Sequence, residues 1–320
     1  MNAWRWTAIL LAWTFAATAR GQSASEVAAT VGQEPVQVAE VDRLAAIATR
    51  GQSVADWAMP VVRAQVLEEI IARRLVLAYA RRTGAAATEA EIRSALDALQ
   101  QDLASRQKTL EQYLQEQSVT ADDLRRQLAW NIVWERYRAR YAIEERLDAH
   151  FSAHRRQFDG TELLVSHILL QPEKDTGAGD LAPLVEKAER IREEIVAEKL
   201  SFAEAARKYS SGPSAAEGGR LGWIGRRGPM FEAFSRAAFE LAAGEISPPV
   251  VTPFGVHLIR CDEIKPGTRQ LADVRRAVED SLARELLERL SALERPHSPV
   301  KYTGVIPHFK PGTRELVGEK

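Results

Sequence analysis

The chain has 320 residues, of which 45% are hydrophobic, which is enough for about two domains with real cores. Its 43 Lys and Arg residues nearly balance 44 Asp and Glu residues, so the formal net charge is −1. This composition argues against disorder, and the mixed charges argue against a dedicated nucleic-acid binder, which carries a basic face or tail. The single cysteine, Cys261, lies in a strand-like run and is predicted to be inert core, with a reactive thiol as the alternative.

The first residues have the three parts of a signal peptide. Arg5 precedes an apolar run over 8–17, and the small residues 17–19 follow as a cleavage-type sequence. The run is shorter than the roughly 20 apolar residues of a membrane-spanning helix. We therefore expect residues 1–21 to direct export to the periplasm or another extracytoplasmic space, with no stable membrane insertion after cleavage. An uncleaved anchor is the alternative.

Residues 24–158 are predicted to form a mainly helical domain that opens with a small hairpin at 27–38. The run 61–82 places apolar residues on one broad face. Thr88 with Glu91 then forms a capping box that starts the next helix. Helical periodicity continues from there to the end of the domain.

The pattern changes to shorter elements over 161–265. A strand-like run at 163–170 precedes two helices, a short β segment, another helix and a closing hairpin at 250–264. This order, β-α-α-β-α-β-β, predicts a compact α+β unit.

A long amphipathic helix is predicted over 269–294. Its apolar stripe needs a partner surface, and the simplest partner is the helical domain 24–158. The α+β unit would then be an insertion into that domain or an appendage on it. Residues 295–320 show few periodic signals and are predicted to form an extended or mobile tail.

Six segments of the α+β unit carry a family resemblance. They are Val-Ser-His-Ile-Leu at 165–169, Phe-Ala-Glu-Ala-Ala-Arg-Lys-Tyr-Ser at 202–210, Gly-Gly-Arg-Leu-Gly-Trp at 218–223, the segment 230–239, Gly-Glu-Ile-Ser-Pro-Pro-Val at 244–250, and Thr-Pro-Phe-Gly-Val-His-Leu-Ile at 252–259. In their order and spacing, they resemble the parvulin family of peptidyl-prolyl cis/trans isomerases. The whole layout resembles the SurA/PrsA class of exported folding factors. The resemblance implies a parvulin domain with a four-stranded antiparallel-type sheet flanked by helices, beside a mainly α-helical domain completed by the C-terminal helix.

The resemblance also implies the site residues. A pocket for the proline ring would be lined by Leu221, Met230, Phe234 and Phe254. The groups around the reacting amide would be His167, Ser210, Gly212, Thr252 and His257. The two histidines are expected to orient their neighbours, with Ser210 and Thr252 as hydroxyl partners, rather than to move protons. From spacing alone, ordinary core packing is the simpler explanation of each pocket residue, and the ordered family match is what favours the pocket.

The implied chemistry needs no cofactor, metal or covalent step. Rotation about an X–Pro bond breaks amide resonance against a barrier of about 18–20 kcal/mol, so the site has to favour the twisted amide over the planar one. Gly212 departs from the family, which usually places cysteine or aspartate there, and this puts the turnover rate in question. Arg226 and Arg227 either favour an acidic residue before proline or a peptide carboxylate, or form a solvated loop.

Two functions follow from these patterns. The first is an isomerase and folding chaperone whose partners are unfolded or proline-containing exported polypeptides. The second is a holdase that binds unfolded chains, with an inactive or weak parvulin-like unit. Gly212 favours the second, whereas the intact pocket and histidine positions favour the first. The patterns name no client and set no oligomeric state.

Overall fold

A computed structural model describes residues 26–50, 58–171, 181–228, 230–310 and 316–318. The predicted signal segment, 1–21, lies outside these ranges. The described residues form a mixed α+β structure, as the sequence predicted. None of the helices in these ranges is both long enough and apolar enough to cross a membrane.

The N-terminal part is a small hairpin followed by helices. The hairpin consists of β1 (Val27–Val31) and β2 (Glu34–Gln37). The helices are α1 (Val38–Ala48), α2 (Met59–Arg82), α3 (Glu89–Ser105), α4 (Leu110–Gln117), α5 (Ala121–Tyr141) and α6 (Glu144–Ala153). The predicted capping box at Thr88 is present, and Thr109 and Thr120 form the same reciprocal bonds at α4 and α5. Local caps therefore fix where these helices begin.

The next part of the chain is one antiparallel sheet with helices on both faces. Its elements are β3 (Glu162–Leu170), α7 (Ala182–Val196), α8 (Phe202–Tyr209), β4 (Arg220–Gly225), α9 (Glu232–Glu240), β5 (Val250–Thr252) and β6 (Gly255–Lys265). The strand order is β4-β3-β6-β5, and every neighbouring pair is antiparallel. The predicted four-stranded sheet and its closing hairpin are confirmed.

Alternation along β3 separates two cores in this unit. Ile168 and Leu170 pack with α7 and α8 on one face, whereas Leu163 and Val165 pack with α9 on the other. Cys261 of β6 belongs to the α9 side and is fully buried, which confirms that it is a core residue. His167 shares the α9 side of the strand, so the sheet presents it toward that helix.

The C-terminal helix α10 (Leu271–Glu294) packs against the N-terminal helices. Its first half, with Val278 and Leu282, joins a cluster containing α6 residues, and its second half joins one containing α2 and α5 residues. At its end, Glu294 is 2% exposed, and its carboxylate accepts a 2.9 Å hydrogen bond from Arg82 Nε of α2. The apolar stripe of α10 thus packs on the helical N-terminal part, as the sequence suggested.

The segment after α10 contains short strands, whereas the sequence predicted only an extended or mobile tail. β7 (Val300–Tyr302) pairs with β1 and completes the sheet β2-β1-β7. β8 (His308–Phe309) pairs with β9 (Leu316–Val317) and packs on the α7–α8 core. Such short strands carry no period of their own, because their partners lie far away in the sequence.

Candidate active site

Two histidines meet on the α9 face of the sheet. In the register between β3 and β6, His167 lies opposite Ile259 and Leu169 lies opposite His257. The histidines are therefore diagonal neighbours on one face, a position from which side chains reach each other. Their Nδ1 atoms are 3.3 Å apart, and the rings stack with centroids 5.5 Å apart.

A threonine hydroxyl orients this histidine pair. Thr252 Oγ1 lies 2.8 Å from His257 Nε2 and accepts a 3.1 Å hydrogen bond from the Phe254 N–H. The hydroxyl proton can go to His257 Nε2 or to the Gly255 carbonyl at 3.4 Å, and the shorter contact favours the histidine. His257 Nδ1–H then donates to His167 Nδ1, which leaves the His167 proton on Nε2.

Gly212 lies beside that last nitrogen. His167 Nε2 is buried and has no hydrogen-bond partner within the described part of the chain. A Cβ atom at Gly212 would lie 3.2 Å from it and 3.4 Å from Ser210 Oγ. The Ser210 hydroxyl oxygen accepts hydrogen bonds from the backbone N–H groups of Leu169 and Gly212, at 3.0 and 3.2 Å. These bonds hold the loop that contains Gly212 against β3. A polar side chain at position 212 would therefore reach an unpaired imidazole nitrogen.

Burial keeps both imidazoles neutral. Loss of hydration lowers the pKa of His167 to about 4. The same cause, together with the neighbouring His167, lowers the pKa of His257 to about 3. Near neutral pH, the pair therefore carries no charge.

These lowered pKa values predict acid sensitivity of the fold. Between pH 6.5 and about pH 4, the unfolded chain binds protons on both imidazoles and the folded chain does not, so stability falls as the pH drops through this window. We expect the free energy of unfolding in urea to drop by about 2 kcal/mol between pH 7 and pH 5.5. In His257→Asn the drop should be about half as large. An undiminished drop would show that His257 does not contribute to it.

An apolar cup lies against the histidine pair. Phe234 of α9 is 2% exposed and meets both rings edge-on, with centroids 6.0 Å from His167 and 5.3 Å from His257. Leu221 and Met230 are half-buried and pack against the same cluster. We call Leu221, Met230 and Phe234 the cup. Its side chains are apolar, and it borders the hydrogen-bonded, neutral side chains of His167, His257 and Thr252.

The fourth predicted pocket residue, Phe254, lies at the rim. It is 48% exposed, and its ring meets Phe231 edge-on with centroids 5.0 Å apart. Sequence reasoning missed Phe231, although its position next to Met230 was a usable signal. We call Phe231 and Phe254 the aromatic rim.

Family models match both parts of the chain. Residues 167–263 match the PPIC-type PPIASE domain, and this range contains the histidine pair, the cup and the rim. Residues 3–138 match the SurA-like N-terminal domain. Both resemblances expected from the sequence are confirmed.

Individual relatives match this chain over only part of their length. The chain is 37% identical over 102 residues to Foldase protein PrsA of Bacillus subtilis, across 32% of this chain and 30% of the relative. It is 27% identical over 272 residues to Chaperone SurA of Alkalilimnicola ehrlichii, across 80% of this chain and 61% of the relative. It thus spans less than two thirds of the length of these relatives. A crystal structure of peptidylprolyl isomerase PrsA from Bacillus anthracis is 20% identical over 72% of this chain and 96% of that chain, with a TM-score of 0.38.

Proposed function

We propose that this chain, which combines a SurA-like N-terminal domain with a PPIC-type PPIase domain, is a peptidyl-prolyl cis/trans isomerase and folding chaperone for exported polypeptides. The observation that carries the proposal is the cup against the neutral pair of His167 and His257. An apolar cup suits a proline ring, and neutral imidazoles beside it leave the reacting amide without a competing charge.

The proposed mechanism is non-covalent. A planar X–Pro amide carries partial negative charge on oxygen and positive charge on nitrogen, and rotation removes both. Holding the ring among apolar side chains withdraws water from this dipole and so favours the less polar twisted state. In this proposal Leu221, Met230 and Phe234 hold the ring, and Thr252 fixes the imidazoles around the amide.

The remaining assignments belong to the same proposal. Residues 24–158 would be the chaperone-like domain, 161–265 the isomerase domain and 269–294 the helix that completes the first. The charged, apolar and small-residue pattern of 1–21 supports export through a signal segment. We assign the amide environment to His167, Ser210, Gly212, Thr252 and His257.

A protease-coupled assay on the purified protein tests the proposal. The protease cleaves only the trans form of a proline peptide, and we expect the chain to speed the slow phase well above its uncatalysed rate. Aggregation of an unfolded client is measured on the same sample. An uncatalysed slow phase together with suppressed aggregation would leave only the holdase function.

A second observation favours that holdase alternative. The helical part contains a cavity of about 220 Å³, lined by apolar residues such as Leu44, Leu77 and Trp130 and by charged residues such as Arg43, Arg73 and Arg126. Such a cavity can take apolar side chains of an unfolded chain without any catalysis. Gly212 also favours the holdase function, because it lacks the cysteine or aspartate side chain that the parvulin resemblance implies at this position.

The Gly212→Asp change should raise kcat/KM. Its carboxylate would accept a bond from His167 Nε2–H and place negative charge near the substrate carbonyl, which opposes the planar resonance form. We expect a gain of about tenfold, which corresponds to about 1.4 kcal/mol of added transition-state stabilisation. Gly212→Asn is the matched neutral control and should gain less. Lower activity in both variants would mean that catalysis requires position 212 to have no side chain.

A further inference from the structure

We propose that a cavity between the sheet unit (residues 161–265) and α10 binds a carboxylate of the client polypeptide, several residues away from the proline in the cup. The carboxylate is either an acidic side chain or the carboxyl end of the client. This inference rests on the proposed function and adds a second point of contact for the client. It follows from the charges that line the cavity, from the way its arginines are paired, and from its distance to the cup.

The cavity has a volume of about 240 Å³ and lies where two parts of the chain meet. The loop between β4 and α9, with the start of α9, forms one wall, and α10 forms another. The charged and hydroxyl side chains of the lining are Arg226, Arg227 and Glu232 from the sheet unit, and Asp280, Ser281 and Arg284 from α10. Three arginines thus face two carboxylates, so the cavity carries an excess of positive charge.

The three arginines differ in how far they are neutralised. Arg226 makes two bonds to the Glu232 carboxylate, at 2.8 and 2.5 Å, and its side chain is 11% exposed. Arg227 and Arg284 are exposed, and within the described ranges neither guanidinium has an ion pair or a hydrogen bond. Asp280 forms no ion pair with either of them. Two unpaired guanidinium groups against one unpaired carboxylate leave a place for one more negative charge.

Arg284 already acts across the cavity on a carboxylate of the protein itself. The hydrogen bond from Arg226 lowers the pKa of Glu232, and the charges of Arg284 and Arg236 lower it further. Arg284 therefore favours negative charge beside the loop from its place on α10. The Nε–H of Arg226 is buried and has no acceptor in the described part of the chain, so Glu232 meets its donors only in part. Guanidinium groups bind carboxylates through paired N–H donors, which suits such a ligand.

The cavity is within reach of a peptide held in the cup. Arg227 is three residues from Met230, so their Cα atoms lie at most about 11 Å apart. An extended peptide covers that distance with about four residues. A client whose proline ring lies in the cup can therefore place a carboxylate in the cavity. From the sequence, a peptide carboxylate is one of the roles open to Arg226 and Arg227, and the cavity gives that role a place away from the reacting amide.

The test is isothermal titration calorimetry of the full chain with capped peptides that contain Ala-Leu-Pro-Phe. Each has one Glu about four residues before or after the proline, and its partner peptide has Gln there. A further peptide has no acidic side chain but a free carboxyl end at the later position, which distinguishes the two sources of the carboxylate. We expect at least one carboxylate peptide to bind with a Kd about tenfold lower than its neutral partner, the product of two ion pairs worth about threefold each.

Three variants locate that gain. Arg227→Gln and Arg284→Gln should each reduce it about threefold, and the two together should abolish it. Arg289→Gln removes the same charge from an exposed position on α10 outside the cavity lining, so it is the matched control and should leave the gain unchanged. All three positions are exposed, and we expect unchanged circular dichroism spectra.

The outcomes separate the inference from the function beneath it. Equal affinity for carboxylate and neutral peptides at every position overturns the inference alone. So does a gain that Arg289→Gln reduces as much as Arg284→Gln, because the attraction would then be a general one. A selective gain without catalysis in the protease-coupled assay overturns only the isomerase function. No binding of any peptide and no catalysis overturn both.

Discussion

Replacing Met230 by alanine and Phe234 by leucine together is expected to lower kcat/KM for a proline peptide by about a hundredfold. The double variant trims the cup on the side that meets both imidazoles. A loss of about 1.4 kcal/mol of transition-state contact at each position multiplies to that factor. The protease-coupled assay measures it, with the melting temperature and circular dichroism recorded on the same sample.

Phe239→Leu is the matched control for this double variant. Phe239 is as buried as Phe234 and lies on the same helix, but among the described residues only Phe234 makes ring contacts with the histidines. Both phenylalanine changes should cost about 1–2 kcal/mol of stability, and only the cup change should reduce catalysis strongly. If the double variant is folded and its activity stays within threefold of that of the parent, the cup has no part in the mechanism.

Gly219→Ala is expected to destabilise the sheet unit by about 3 kcal/mol or more. Gly219 has φ +84°, and a Cβ atom there would lie 2.3 Å from the backbone oxygen of His167. The His167 N–H also donates to the Gly219 carbonyl at 2.8 Å, so the clash displaces the strand that carries the histidine. Urea unfolding measures the loss, and the isomerase rate should fall with it.

Gly244→Ala separates backbone strain from the clash. Gly244 has φ +85°, and a Cβ atom at that position would meet nothing within 4 Å. It should therefore cost about 1 kcal/mol, the penalty of a left-handed conformation alone. An equal loss of unfolding free energy in the two variants would mean that the close approach of Gly219 to His167 does not contribute to stability.

Local signals predicted most of the fold. The Thr88 capping box and the apolar stripe of 271–290 act over one or two turns, so the helices they define were visible in the sequence. β7 was not, because its partner β1 lies at the other end of the chain and each strand is only a few residues long. Pairing of that kind is decided by tertiary packing.

The site was predictable as a set of residues but not as a geometry. The family pattern named His167, His257 and Phe234, and the structure brings these three together. The pattern did not show that Thr252 sets the tautomers, that Ser210 bonds backbone amides, or that Phe254 leans on Phe231. These facts depend on a strand register with bulges near Val165, which no local pattern encodes.

Exchange spectroscopy by NMR on an uncut Ala-Leu-Pro-Phe peptide is the most direct measurement of the central claim. With catalytic amounts of the full chain, we predict cis–trans exchange cross-peaks within about a second, against tens to hundreds of seconds for the free peptide. The Met230 methyl signal should shift as the peptide is added. Exchange as slow as in the free peptide, with the Met230 signal unmoved, would contradict both the cup and the isomerase function built on it.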